Sequence, residues 1–572
     1  MIFLFLVGIS FSLRSCEANI VVSKTDLIDY VAPQEFYECD STSAVINEGI
    51  ILIGNEAFRG CTNLKTVSLP NSLIYLKFNS FRSCTALTTI NVPEGVEVIE
   101  EGVFRVCTSL TTITLPSTLA SIGIASFQET MVSLTSISFP NGNPIFKASN
   151  LMVYTNKSIV ICSNAITSIV WPSDEYITDI TTHAFLFCRL ITSMILPNSI
   201  ITIGERSFYG MENLVTLTLG QSVTSFARDT VENCQNLEAI NVDENNLDYC
   251  SVNGVMFTKS IEELYFYPSN KPGEVYQIPK ETIRFSISSL SETKFLQRFT
   301  IEEGNLVLKV DSTDGQVYSI DGTTLVKVAP KVSTFILKTD LTTIGPGAFY
   351  TSSITSLEIP SNIKIIEEYC FQIAKISTIT IPQTVQEIGE GFFYSSYIES
   401  IVIKSQIKIL PMNSFTNSGN LWKVELPDTI EIIGNFSLGR CPRLSEVNIP
   451  SNLIEIRTGG FYYCSSLPEI TFPDSLTYIG PNAFESCIGF QNIIIPKNVY
   501  MVDSRAFSTC TNVETVTFMN CNTQNKSNTF YSIPNLQEPI CISSKTFTYH
   551  MALKPSFRPF FFSLFTFLNN DY

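Results

Sequence analysis

Cysteine and histidine are the residues through which a chain of this kind would do covalent or metal chemistry, and it carries sixteen of the first and two of the second. A structural metal site needs such residues in close pairs, typically about two to four apart. No C-x-x-C occurs; instead Cys61, Cys84 and Cys107, and later Cys441, Cys464, Cys487 and Cys510, return every 23 residues. That period belongs to an architectural unit and predicts a ladder of small buried thiols, since free cysteine is among the most buried residue types. Parallel side chains on stacked units rarely offer the vectors a disulfide requires. Off-phase Cys39, Cys521 and Cys541 fall near the two ends, where terminal units must cover an exposed core, and Cys521 with Cys541 is a candidate disulfide. His183 and His550 are too few for a multi-histidine metal site. G-x-S-x-G and glycine-rich phosphate loops are absent. The inventory therefore names no catalytic, cofactor-binding or metal site, and the chain reads as a non-enzyme without a cofactor.

Asn156, Asn435 and Asn525 each begin an Asn-x-Ser sequon and would accept glycans in a eukaryotic secretory route. The formal charge of -17 repels phosphate backbones, and no basic cluster offsets it, so nucleic acid is excluded as a partner while a basic or neutral protein fits.

These residues are positioned by a repeat. Phe58, Phe81, Phe104 and Phe127 lie 23 apart, as do Phe185 and Phe208; the register returns at Phe349, slips by one through Phe371, Phe393 and Phe415, and runs on through Leu438, Phe461, Phe484 and Phe507. One unit, FRVCTSLTTITLPSTLASIG, spans Phe104 to Gly123. Within it Leu110 to Leu115 alternates apolar and polar residues, the mark of a half-buried strand. Proline follows the strand at Pro70, Pro93, Pro116, Pro427, Pro450 and others, stopping the ladder and turning the chain. A short apolar pair such as Leu119 and Ile122 then crosses the back, and Gly123 is expected to permit the closing bend. One coil alone cannot bury its interior, so coils must stack. About 16 of them would carry a parallel sheet on the order of 75 Å long.

Three longer excursions, near 141-180, 243-283 and 303-338, contain NLMVY, NGVMF and DGQVY; they predict β-hairpin insertions projecting from the solenoid. The N-terminal run MIFLFLVGISFSLRSCEA predicts a signal peptide over 1-18, although it lacks a basic start. Residues 19-44 are then a cap segment, 45-520 the solenoid, and 521-572 a second cap ending in the apolar tail Phe557 to Leu568. That tail is too short to span a bilayer, and it reads either as a cap strand or as an interfacial or lipid-anchor segment. No integral span is expected.

The combination A-F-x-x-C-x-x-L with L-x-x-I-x-L-P-x-x-L-x-x-I-G, plus N-G-V-x-F/Y hairpins, resembles the BspA-like leucine-rich-repeat family over roughly 45 to 520. Met211 and Thr130 replace its cysteine, and Val231 and Leu438 its phenylalanine. The resemblance implies a leucine-rich-repeat solenoid with a parallel β-sheet on the concave face, otherwise mostly β and irregular. It further implies an extracellular or cell-surface protein that adheres to a host surface, to matrix protein or to neighbouring cells.

Binding would use the outward strand column, which runs through Ser68, Asn91, Thr114, Thr218, Asn448, Thr471 and Thr517 and is mostly small and polar. Ile195, Val402 and Ile494 break that pattern. Trp422, of the type most enriched in interface hot spots, stands beside Glu425, and Glu399, Glu446, Glu469 and Glu514 lend the region negative charge. The alternative readings are a coat antigen with no discrete ligand and an intracellular scaffold. Oligomeric state leaves no mark in the sequence.

Overall fold

A phenylalanine pinned between two left-handed residues is the unit of the fold. The computed structural model describes residues 19–24, 29–123, 125–127, 133–173, 176–227, 229–526 and 528–542. In it Phe58 stands between Glu56 (φ 56°) and Gly60 (φ 79°), Phe81 between Asn79 (φ 54°) and Ser83 (φ 62°), and Phe484 between Asn482 (φ 54°) and Ser486 (φ 63°). A left-handed backbone costs a non-glycine residue on the order of 1 kcal/mol, so neighbouring coils must hold it. The N–H groups of Glu56, Phe58 and Gly60 each donate to the next coil, to the carbonyls of Phe78, Ser80 and Arg82, at 2.8 Å. The rings are buried and stack at 5.0 Å between Phe58 and Phe81, 4.7 Å between Phe371 and Phe393, and 5.2 Å between Phe484 and Phe507.

The cysteine three residues further on completes the turn. Its thiol donates to the phenylalanine carbonyl of the preceding coil, from Cys84 to Phe58 at 3.2 Å and from Cys487 to Phe461 at 3.1 Å. Where serine stands instead, the Ser418 hydroxyl makes the same bond to Phe393 at 2.8 Å. Burial pushes these thiols up, that of Cys464 to about 12.

Two parallel strand ladders run through the coils. The longer strands, such as Thr112–Thr114, pair with Thr89–Asn91 and Ser136–Ser138; the short ones, such as Val98–Ile99, pair with Tyr75–Leu76 and Ser121–Ile122. The chain divides into two compact units, Met1–Leu308 and Lys309–Tyr572, each with apolar cores of its own. In the first, Asn19–Val22 pairs with Ser43–Ile46, and Phe36 stacks on Phe58 at 5.0 Å, so the opening described segment forms a coil. In the second, Thr517 and Phe518 pair with Ile540–Cys541, and Cys541 is joined to Cys521 with their Cα atoms 5.7 Å apart. The N-terminal run 1-18, Thr130, His550 and the tail Phe557 to Leu568 lie outside the described residues.

Two expectations need correction. The insertions are hairpins, with positive φ at Asn150 and Leu151 and at Asn253 and Gly254, but they do not simply project. Their last strands, Ser158–Cys162, Glu263–Phe266 and Thr324–Lys327, join the short-strand ladder in parallel with Asp179–Ile180, Arg284–Phe285 and Thr343–Ile344. The reason is apolar surface: Met152, Val153, Met256, Phe257 and Val317 are fully buried, which a free-standing hairpin would leave in water. Gly123 does not need positive φ either. A Cβ there would stand 2.3 Å from the Glu101 backbone nitrogen, so glycine is required by the approach of the preceding coil.

The third insertion buries a cation. Lys327 is 1% exposed, and its Nζ donates to the Gly347 carbonyl at 2.8 Å; burial drives its pKa from 10.5 down to about 7. Because the folded pKa is depressed, the unfolded chain binds more protons between those values, and stability must rise with pH across that window. We predict that Lys327→Met raises the melting temperature at pH 7 and removes the rise between pH 7 and 9. Measuring variant against parent cancels the contribution of the buried thiols. A rise of the same slope in both proteins would refute the assignment. For the thiol ladder, iodoacetamide should leave Cys84, Cys464 and Cys487 untouched in the native protein and label them on unfolding. Cys487→Ser should keep the carbonyl bond, whereas Cys487→Ala should cost about 1 kcal/mol or more in denaturant unfolding.

Candidate functional site

Strand periodicity turns alternate side chains outward, and parallel pairing sets equivalent outward residues of successive coils side by side. In the second unit Ile379, Ile401 and Val424 face inward, 6%, 1% and 1% exposed, while their neighbours Thr380, Val402 and Glu425 form the outward register. In the first, Ile195, Thr218 and Asn241 form a matching outward row.

Of the apolar residues singled out in this column, Ile195 is 70% exposed and Ile494 55%, whereas Val402 is half-buried. Trp422 is exposed at 41%; its backbone N–H donates to Glu399 at 2.9 Å, which fixes it at the entrance of strand Lys423–Glu425. Val402 and Glu425 are paired neighbours, and Trp422 lies three residues before Glu425 on the same coil. Ile494 stands on a separate strand, Asn492–Ile495, and Ile195 belongs to the other unit. The indole of Trp171 donates to the Ile195 carbonyl at 3.0 Å, and Val170, 56% exposed, occupies the equivalent outward position one coil earlier; neither was singled out in the sequence.

The acidic residues are not isolated. The Lys423 ammonium lies 3.0 Å from Glu425 and 3.6 Å from Glu446, and the two carboxylates raise its pKa. Beside them the long-strand ladder is interrupted. Strand Glu446–Val447 ends one sheet and Asn492–Ile495 begins another, and the intervening coil pairs with neither. Pro468 stands at this break. At the equivalent place Thr111, Trp422 and Ser445 donate their N–H to the preceding coil at 2.8, 2.9 and 3.0 Å, and proline has no N–H to give. The interruption leaves a groove of about 720 Å³ lined by Lys423, Glu425, Glu446, Asn448, Pro468 and Glu469. A proline directly after the repeat leucine was the signal for it.

The remaining candidates are placed as follows. His183 (φ 63°) occupies the left-handed position that Glu56, Arg206 and Asn482 hold elsewhere, and burial together with the Arg206 guanidinium lowers its pKa, which keeps it neutral at pH 7. No group of three His, Cys, Asp or Glu among the described residues is arranged to hold a metal. Asn156 is exposed in the turn before strand Ser158–Cys162. Asn435 is half-buried, and the Ser437 hydroxyl of its sequon is buried and bonded to Gly434 at 2.7 Å. Asn525 lies in strand Gln524–Asn525 and is half-buried. Among the described residues no helix is long and apolar enough to cross a membrane.

The model of the BspA type leucine rich repeat region matches residues 29–152, 155–272, 327–421 and 408–537. No curated protein matches the chain. Among solved structures it is similar to a leucine-rich repeat protein from Eubacterium ventriosum, at 18% identity and TM-score 0.31, over 78% of this chain and 82% of that one. It is also similar to a leucine-rich repeat protein from Bacteroides ovatus, at 17% identity and TM-score 0.28, over 84% and 87%. A leucine rich cell surface protein from Faecalibacterium prausnitzii is 17% identical with TM-score 0.24, over 88% of each chain. With well over half of its length matched by the repeat model, the chain belongs to the BspA-type leucine-rich-repeat family.

Proposed function

We propose that the protein is a non-enzymatic binding scaffold, displayed outside the cell, which holds a protein of the host surface, the matrix or its own kind against the outward column of its long strands. The observation that carries this reading is exposure against type. Ile195 and Ile494 are exposed in a long-strand column that is otherwise mostly small and polar, and Trp422 is exposed at the entrance of one of its strands. Stacking does not require them, and aromatic and apolar residues of this kind anchor interfaces once a partner covers them.

The N-terminal apolar run supports an exported chain, and the exposed sequon residue Asn156 is compatible with one. The carboxylates of Glu399, Glu425, Glu446 and Glu469 favour a partner with a basic face, and salt should weaken such an attachment.

Saturable binding of the purified protein to host cells or immobilised matrix protein is the expected result. Trp422→Ala should weaken it by about tenfold or more at an unchanged melting temperature, because the indole is exposed. Binding that never saturates would favour a coat antigen with no discrete ligand. An intact Met1 on protein recovered from the cytosol would favour an intracellular scaffold.

A further inference from the structure

The interruption at Pro468 exposes more than charge. Glu469, Ile470 and Thr471 lie where other coils have a paired strand, yet their N–H groups meet no acceptor among the described residues. On one side they face strand Glu446–Val447, the edge of a four-stranded sheet. Residues that belong to the core are uncovered as well. Val447, Ile449 and Ile470 are each half-buried, whereas Val424 and Leu426, one coil before Val447 and Ile449, are 1% and 5% exposed.

The rest of this coil is held in place. Phe461 donates to Ala483 at 2.8 Å and Tyr463 to Glu485 at 2.8 Å, and the short strands Glu455–Ile456 and Tyr478–Ile479 remain paired. The opening is therefore confined to one face and braced by the phenylalanine turn behind it. It combines an unpaired strand edge, a floor of half-covered aliphatic side chains and walls bearing Glu425, Glu446 and Glu469.

We propose that this opening is a docking site for an extended peptide segment of a protein partner that alternates Lys or Arg with β-branched residues. The segment adds to the open edge through its backbone, sets its aliphatic side chains over Val447 and Ile470, and turns its cations to the glutamates. Open strand edges recruit strands in this way, main-chain hydrogen bonds giving affinity and alternate side chains giving specificity. The preference for cations follows from the walls: they bear three carboxylates, and the single charge of Lys423, 3.0 Å from Glu425 and 3.6 Å from Glu446, offsets one of them. This inference deepens the binding reading above and rests on it for the existence of a protein partner.

The test uses the full-length protein and a fluorescein-labelled peptide of alternating Lys and Val with blocked ends. Two control peptides accompany it, one with Glu for every Lys and one N-methylated at alternate residues. Wild type should bind the Lys/Val peptide, saturably and more weakly as salt rises, and should bind neither control. Pro468→Thr supplies the N–H that Thr111 carries at this position, so it should close the ladder and raise the melting temperature. It should also weaken peptide binding by about tenfold or more. Because that variant is expected to gain stability, loss of binding cannot be ascribed to misfolding. Glu446→Gln combined with Glu469→Gln should abolish the salt dependence. Equal binding of the N-methylated peptide, or undiminished binding by a stabilised Pro468→Thr, overturns the edge proposal. A protein that binds host or matrix protein through Trp422 but ignores the Lys/Val peptide overturns it too, while leaving the broader binding reading intact.

Discussion

The one-way hydrogen-bond ladder beside the phenylalanine stack is the constraint on which the other features depend. At Phe36, Phe58, Phe81 and onward, the ring residue and the left-handed residues on either side of it all donate N–H groups toward the next coil. No coil can satisfy these donors by itself, and none can afford its two left-handed residues without the bonds they make possible. Stability in such an array is a property of neighbours, which is why the repeat has so little freedom at its buried positions. The thiol is part of the same device. The phenylalanine carbonyl accepts from the cysteine N–H of its own coil, at 3.3 Å for Phe58 and Cys61, and from the thiol of the following coil. A small side chain with a weak donor fits that place; serine at position 418 makes the same bond without sulfur, and buried Met211 and Ala374 fill the place with no donor at all.

This division of labour explains what could be read in the sequence. Phe104, Cys107 and Leu110 repeat because each fills a buried column whose shape the next coil inherits, so their types and spacing are visible directly. The left-handed positions are occupied by Glu56, Asn79, His183, Arg206, Tyr369 and Phe436. There the backbone does the bonding, so many residue types are accepted; asparagine and glycine recur at some coils, as at Asn79, Asn413 and Asn482, but no single type marks the conformation. Gly123 was visible as a glycine but not for its reason, since a close approach between coils that are 22 residues apart is a tertiary fact. The hairpins were legible from Asn253-Gly254, whereas their incorporation into the short-strand ladder was not. That depends on how much apolar surface the third strand must cover.

The candidate site was legible to a different degree. Exposure of Ile195 and Ile494 follows from strand alternation, which sequence carries. The grouping of Val402 with Glu425 and Trp422 follows from a register that the 23-residue period also carries. The sharing of Lys423 by Glu425 and Glu446 does not, because it turns on the reach of a flexible side chain across two strands. Lys327 was equally hidden. A lysine on an alternating strand reads as solvent-facing, and only the packing of the insertion turns it inward.

Pro468 shows how a repeat protein can gain a distinctive surface without losing its fold. Each coil is tied to the next along two strand ladders and the phenylalanine turn, so loss of one ladder at one coil leaves the others intact. In the unit Lys309–Tyr572 the break removes the long-strand pairing beside Glu446–Val447 but leaves the turn at Phe461 and the short strands bonded. The cost is local: a few unmade hydrogen bonds and some uncovered aliphatic surface, each on the order of 1 kcal/mol. A substitution that breaks an internal helix or a central strand of an ordinary domain would threaten the whole core. Redundant coupling between coils is therefore what lets this architecture place a polar-walled, apolar-floored opening between two long-strand sheets without losing the coil around it.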